Sequence, residues 1–207
     1  MIEERECKEM RKLNRAGFTL IELLAVITIM GILMLVAIPA VSRTIENSRR
    51  DTFADIAHEY LNAVRNGVLA DNIECGSGAT KTVASATPDG WYYFAIDSTA
   101  QGTKDLMEQG GKSPFGNSEV KGVVLWQKVT TNPGTDKQKT TTNYWMKLVD
   151  TGKHGFDSQW LTETEIKRAN ISTATTNASI AAPTKNMTVV SGVKTDTSVA
   201  PTICSLS

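Results

Sequence analysis

One carboxylate, Glu22, lies inside an otherwise apolar run near the start of this 207-residue sequence. Between Phe18 and Ile38 only Thr19 and Thr28 are also polar. An unpaired Asp or Glu inside a bilayer costs about 2.5 to 3.5 kcal/mol on insertion scales, so such residues usually mark a functional pairing. The chemistry predicted for Glu22 is therefore an ion pair with a nearby cation. The alternative is a carboxylate that snorkels from near the helix end to the membrane interface.

No complete catalytic motif accompanies this carboxylate in the sequence. Residues 111–113 read Gly-Lys-Ser, but Leu106 stands where a phosphate-binding loop needs its first glycine. There are two histidines, His58 and His154, and no G-x-S-x-G element, so a nucleophilic triad is not indicated. We predict that the protein is not an enzyme and that it uses no cofactor and no metal.

The composition of the chain indicates one domain with a modest hydrophobic core. It has 41% hydrophobic and 6% aromatic residues, and 22 acidic residues balance 22 basic ones. The zero formal net charge gives no global electrostatic reason to expect nucleic acid as a partner. Much of the apolar content is concentrated near the N-terminus, in the run that contains Glu22.

This apolar run has the length of a membrane-spanning helix. As an α-helix, residues 18–38 would extend about 31 Å, close to the thickness of a bilayer core. The basic residues Arg11, Lys12 and Arg15 precede it, so the positive-inside rule predicts a cytoplasmic N-terminus and an external C-terminal part. A secretory signal peptide would have a shorter apolar core and a small-residue cleavage site. A plain single-pass anchor matches the hydropathy but leaves Glu22 unexplained.

Residues 17–22, Gly-Phe-Thr-Leu-Ile-Glu, resemble the class III signal of type IV pilins and pseudopilins. The resemblance implies that a prepilin peptidase cuts between Gly17 and Phe18, that the new amine of Phe18 is N-methylated, and that the apolar segment stays on the mature protein. Pro39 stands where many pilins carry a proline. The 17-residue leader is longer and more acidic than leaders of the type IVa group, and long leaders occur among Gram-positive members.

The same resemblance gives Glu22 a partner. In the family, the corresponding glutamate is thought to meet the first amine of a neighbouring subunit, which here belongs to Phe18. Removal of either member of a buried ion pair leaves the other charge stranded, so the pair would set subunit register. Pro39 removes a backbone hydrogen bond, and with Gly31 upstream we expect residues 31–39 to bend or unwind.

The expected fold is α+β: a long N-terminal helix packed on an antiparallel β-sheet head, as the family resemblance implies. We predict a leader at 1–17, the helix at 18–70 with its transmembrane and assembly segment at 18–38, and the head at 71–207 with a C-terminal region rich in Thr, Ser and Ala. In the second half of the helix, apolar residues recur at spacings of three and four and predict one buried stripe. Its members are Phe53, Ile56, Ala57, Tyr60, Leu61, Val64 and Val68.

Runs of aromatic and β-branched residues predict strands in the head at 91–96, 119–129 and 143–149, the last two forming a hairpin. A Thr162-x-x-Glu165 capping box predicts a short helix over residues 161–169. A further strand is expected within 186–192.

Three cysteines lie far apart and lack a C-x-x-C spacing, so neither a zinc site nor a redox motif is predicted. Cys7 belongs to the leader, whereas Cys75 and Cys204 lie on the oxidising side of the membrane under the predicted topology. Many family members close a C-terminal region with a disulfide, which implies a possible bond between Cys75 and Cys204. Two independent thiols are the alternative, and the sequence leaves both open.

By resemblance, the function is that of a major pilin, the structural subunit of a type IV pilus used for adhesion, twitching motility or biofilm formation. Its expected partners are other copies of itself, the prepilin peptidase, an inner-membrane assembly platform with its ATPase, minor pilins, and the membrane before assembly. The precursor would reside in the cytoplasmic membrane and the mature subunit at the cell surface. The alternatives are a pseudopilin of a type II secretion or DNA-uptake system and a membrane-tethered binding module that does not polymerise.

Overall fold

In the residues that the structure describes, the chain forms one long helix, a seven-stranded sheet, a second sheet of two short strands and several short 3-10 helices. This computed structural model describes residues 18–98, 112–116, 118–184, 188–189, 193–194 and 200–206. The predicted leader, including Gly17 and Cys7, lies outside these residues. The chain divides into two units, residues 1–44 and 45–207, which are taken in turn.

The first unit contains the beginning of helix α1, Leu20–Leu69, which is long and apolar enough to cross a membrane. From Phe18 to Val41, every large apolar side chain is between 49% and 86% exposed. α1 remains helical through Gly31 and Pro39, so the unwinding expected at residues 31–39 is absent from the described chain.

In the second unit, α1 buries one face. The predicted stripe is confirmed at six of its positions, while Ile56 is half-buried. The helix ends where Asp71 takes a left-handed conformation, with φ of 58°. The main-chain N–H of Asn72 then donates to the carbonyl of Gly67 at 3.0 Å, which satisfies one of the last carbonyls of the helix.

The strands are β1 Ile73–Cys75, β2 Thr82–Val83, β3 Gly90–Asp97, β4 Val120–Thr131, β5 Lys139–Asp150, β6 Gly155–Leu161, β7 Thr188–Val189, β8 Val193–Lys194 and β9 Thr202–Leu206. The large sheet has the strand order β2-β1-β9-β3-β4-β5-β6. All neighbours in it are antiparallel except β3 and β9, which are parallel. The C-terminal strand therefore lies between two strands formed early in the sequence.

Hydrophobic clusters form on both faces of the sheet. The larger cluster joins the stripe of α1 to alternate residues of the strands, including Phe94, Trp126 and Met146. The residues between them in sequence point to the other face, because successive side chains alternate along a strand. There Leu125 and Trp145, which are direct partners across β4 and β5, pack with Val123, Trp160 and half-buried neighbours.

The three long strands predicted from the sequence are confirmed as β3, β4 and β5, and the last two pair as the expected hairpin. The short helix predicted around residues 161–169 is present as a 3-10 helix: its capping box opens Glu163–Glu165, and a second 3-10 helix follows at Arg168–Asn170. The chain leaves the helical path at Ile166 (ψ 93°), and that side chain is buried in the core. Within 186–192 the structure describes β7, which pairs with β8.

We predict that replacing Leu61 with Ala lowers the free energy of unfolding by about 2 to 5 kcal/mol, because Leu61 is fully buried against the sheet. Leu69→Ala, on the same helix but 74% exposed, should change it by less than about 0.5 kcal/mol. Denaturant unfolding in detergent micelles, followed by tryptophan fluorescence, measures both values. Equal effects of the two substitutions would contradict the packing described here.

Candidate assembly site

Helix α1 begins with a capping box formed by Thr19 and Glu22. The Glu22 Oε2 atom accepts hydrogen bonds from the Thr19 main-chain N–H at 2.9 Å and from the Thr19 hydroxyl at 2.8 Å. In return, the Glu22 N–H donates to Thr19 Oγ1 at 3.3 Å. These bonds satisfy N–H groups that the first turn of a helix leaves without partners, and they place a negative charge at the positive end of the helix dipole.

A sequence signal for this cap exists. Thr19 and Glu22 have the Thr-x-x-Glu spacing that also occurs at Thr162 and Glu165. Interpreting Glu22 only as a charge in an apolar run missed this second role. The structure brings Glu22 and Thr19 together, places Phe18 directly before the cap, and leaves Pro39 five turns further along the helix.

The capping box stands at the beginning of a band of apolar side chains that no described residue covers. Phe18 is 86% exposed and Leu20 is 85% exposed. Monomeric soluble proteins rarely expose contiguous apolar patches larger than a few hundred Å², so a surface of this kind marks a site for membrane or for another protein. Glu22 is the one acidic residue between Phe18 and Val41.

Ion pairs follow the apolar band along α1. Two of them tie the helix to the segment after β6: Asp51 with Arg168 at 2.8 Å and Arg65 with Glu163 at 2.5 Å. The Arg65 hydrogen bond holds the pKa of the Glu163 carboxyl below its usual value, with burial acting in the opposite direction. Such exposed pairs contribute about 0 to 1 kcal/mol each, so they orient the segment more than they stabilise it.

A disulfide joins Cys75 to Cys204, with an S–S distance of 1.97 Å. The two residues are direct partners on the antiparallel strands β1 and β9, and each is 4% exposed. Their separation of 129 residues means that the bond connects the chain just after α1 to its last strand. The sequence leaves open whether these cysteines are bonded or free, and in the structure they are bonded.

A cluster of Ser113, Asp150 and His154 has the residue types of a catalytic triad but the wrong order. The Ser113 hydroxyl donates to Asp150 at 2.5 Å, and His154 Nδ1 lies 2.9 Å from the same carboxylate. Because Asp150 stands between the hydroxyl and the imidazole, His154 is not placed to accept the serine proton. The fully buried carboxylate instead anchors residues 112–116 to the turn between β5 and β6. Within the described ranges, no group of three side chains could hold a metal ion.

Comparison with known proteins places this arrangement in a family. Residues 12–38, which include Gly17, Phe18 and Glu22, match the family described as the prokaryotic N-terminal methylation motif. The fimbrial protein EcpC of Eikenella corrodens is 31% identical over 134 residues, which cover 65% of this chain and 87% of EcpC. The chain belongs to the type IV pilin family. No solved structure matches this pilin.

Family membership makes the chain, in general terms, a pilin subunit that forms filaments. The methylation motif and the apolar helix suit a membrane-anchored precursor that becomes part of a surface pilus. The protein is a structural subunit by its family, and the expected α+β pilin fold is confirmed.

For the full-length pilin we predict one free thiol per denatured chain before reduction, from Cys7, and three after it, because Cys75 and Cys204 are bonded. Reduction should lower the free energy of unfolding by about 4 to 5 kcal/mol in the chain-entropy account of a loop of this length. Titration with a thiol reagent, with and without reductant, checks the count. Three free thiols before reduction would rule the bond out, and Cys7→Ser provides the matched control with none.

Proposed function

We propose that this pilin is the major structural subunit of a type IV pilus and polymerises through the N-terminal part of α1. The observation that carries the proposal is the uncovered apolar band from Phe18 to Val41, interrupted by one carboxylate near its beginning. In a filament, the same band on neighbouring subunits replaces lipid as its apolar surroundings. The fimbrial identity of EcpC supports this assignment over a pseudopilin.

Before assembly, the band serves as a membrane anchor. The proposed precursor has its N-terminus in the cytoplasm and its head, residues 71–207, outside. The peptidase removes residues 1–17, and Phe18 becomes the methylated first residue. The assembly platform and its ATPase then lift the subunit out of the membrane, with minor pilins as partners at the filament. A filament of this kind would serve adhesion, motility or biofilm formation.

The geometry of Glu22 supports a double role in assembly. Its Oε2 atom accepts both bonds of the capping box, whereas Oε1 makes no hydrogen bond within the described part of the single chain. Oε1 can therefore accept a bond from the Phe18 amine of a neighbouring subunit while Oε2 keeps the helix capped. An ion pair between carboxylate and amine would compensate two charges that the apolar core of a filament otherwise leaves unpaired.

Imaging of surface filaments in strains with and without this gene tests the proposal directly. Long filaments that contain the protein and disappear with the gene are expected. Short periplasmic or cell-wall structures, with secretion or DNA uptake lost instead, would favour the pseudopilin. A protein that stays dispersed in the membrane would identify the non-polymerising module.

Replacement of Gly17 with Trp should leave the leader attached and abolish filaments, because the peptidase must accept a small residue at the membrane edge. Mass spectrometry of the N-terminus reports the outcome, and wild type should begin at a methylated Phe18. Gly31→Ala provides a control in the same segment, since a Cβ at Gly31 meets no atom within 4 Å. A wild-type N-terminus at Met1, or a cut near residue 40, would exclude the processing scheme.

Substitutions of Glu22 distinguish its role in the capping box from the role of its negative charge in assembly. Gln at the third helical position also completes a capping box, so Glu22→Gln keeps the cap and loses the negative charge, whereas Glu22→Ala loses both. If the ion pair with Phe18 drives assembly, both variants insert into the membrane and both lose most of their filaments. Filament yield relative to membrane-bound subunit is the measurement, with Glu46→Gln as control. Normal yield from Glu22→Gln would assign Glu22 to capping alone.

A further inference from the structure

A cavity of about 470 Å³ lies on the sheet at β5 and β6, bordered by the segment 177–184. Lys147 of β5 and Asp157 and Trp160 of β6 contribute its sheet side, and the remaining lining residues are Asn177, Ser179, Ile180, Ala181, Ala182, Pro183 and Thr184. Its volume lies in the range of small-molecule sites in proteins. Neither family membership nor filament assembly gives it a role.

Lys147 supplies hydrogen-bond donors to this cavity. Its ammonium donates one bond, at 2.6 Å, to the main-chain carbonyl of Asp157, and it lies 5.3 Å from the ring centre of Trp160. An ammonium has three N–H donors, so two are left for a ligand. Burial lowers the pKa of Lys147, and the Asp157 carboxylate opposes that change. The desolvated ammonium gains from any ligand oxygen that replaces its lost water.

Asp157 supplies the matching acceptor. Its Oδ2 atom accepts bonds from the N–H groups of Thr176 and Asn177, both at 3.1 Å, and from the Asn177 side-chain amide at 3.3 Å. These three donors fix the carboxylate in place. Its Oδ1 atom makes no hydrogen bond with any residue that the structure describes, and it remains available to a ligand hydroxyl.

The charges of the cavity select against an ionic ligand. Among the lining residues that the structure describes, one carboxylate and one ammonium lie on the same sheet side and their charges balance, so an anion would meet Asp157 and a cation would meet Lys147. A hydroxyl group, by contrast, donates one hydrogen bond and accepts others. A pair of neighbouring hydroxyls can therefore donate to Asp157 and accept from Lys147 at once, and the amide of Asn177 and the hydroxyls of Ser179 and Thr184 extend the same pattern.

The remaining surface of the cavity is apolar. Residues 180–183, which are Ile, Ala, Ala and Pro, form most of this surface, and Trp160, which is 4% exposed, contributes a small part of it. The C–H faces of a saccharide ring suit such a wall, while its hydroxyls meet the polar groups. We infer that this cavity binds a neutral saccharide, through Lys147, Asp157 and the wall formed by Trp160 and residues 180–183. The site would give the head a ligand of its own, independent of polymerisation.

Calorimetric titration of the full-length protein, held in a zwitterionic detergent without sugar head groups, tests the inference. The probes are glucose, galactose and N-acetylglucosamine, with glucuronate, galacturonate, glucosamine and galactosamine as charged counterparts. At least one neutral sugar should bind saturably with a dissociation constant of about 1 mM or lower, and its charged counterparts should bind about tenfold more weakly. Absence of binding by all three neutral sugars, or equal binding of a charged counterpart, would overturn the proposal.

Variants locate the site. Lys147→Met and Asp157→Asn should each weaken binding of that sugar at least about tenfold, which corresponds to ~1.4 kcal/mol. Lys121→Met changes a half-buried lysine on β4 that pairs with Asp97 outside the cavity, and it should leave binding unchanged.

A second kind of variant is needed because Lys147→Met also removes a buried contact. Ala181→Trp serves this purpose: Ala181 is exposed and lines the cavity, so the indole fills the cavity without removing a polar group. Full binding by a folded Ala181→Trp protein would place the sugar elsewhere and refute the assignment.

Discussion

One continuous helix has to satisfy two different apolar environments, and the rest of the chain is arranged around that requirement. Up to Val41, large apolar side chains project from every side of α1, which suits lipid or a bundle of identical helices. From Phe53 to Val68, the apolar residues form one stripe, which suits a sheet on one side and water on the other. The head therefore needs an antiparallel sheet with one face reserved for the helix, and the strands supply it through their alternating side chains.

The polar groups at the beginning of α1 show how a charge can be kept in an apolar segment. The hydrogen bonds of Glu22 in the single chain are local, to the main chain and side chain of Thr19 within one turn. A local cap requires no partner subunit, so the first turn of the helix is satisfied within the single chain. The cap leaves Glu22 Oε1 without a hydrogen bond from any residue that the structure describes, and under the proposed assembly this oxygen is the part of Glu22 that gains a partner.

The elements that could be predicted from the sequence are those with a long repeating pattern. The stripe of α1 spans several turns, and β3, β4 and β5 each carry enough aromatic and β-branched residues to be recognised. β1 and β2 are three and two residues long, too short for any periodicity, and β9 depends on pairing with strands far away in sequence. The 3-10 helix at Glu163–Glu165 shows the same limit of prediction from sequence. Its capping box could be recognised in the sequence, but its end at Ile166 depends on burial of that side chain in the core. The saccharide-sized cavity could not be predicted, because β5, β6 and residues 177–184 contribute to it through tertiary contacts alone.

The position of β9 determines the order in which the head can be completed. Within the described sheet, β9 connects β1 and β2 to the four strands beyond it, because it hydrogen-bonds to β1 on one side and to β3 on the other. Because β9 follows the other strands in the sequence, the sheet has a gap between β1 and β3 until Thr202–Leu206 has been synthesised. Closing that gap brings together segments more than a hundred residues apart, a slow kind of contact in folding. β9 is thereby required for a closed sheet: without Thr202–Leu206, β1 and β3 would present two open strand edges in the middle of the head, where edge strands invite mispairing.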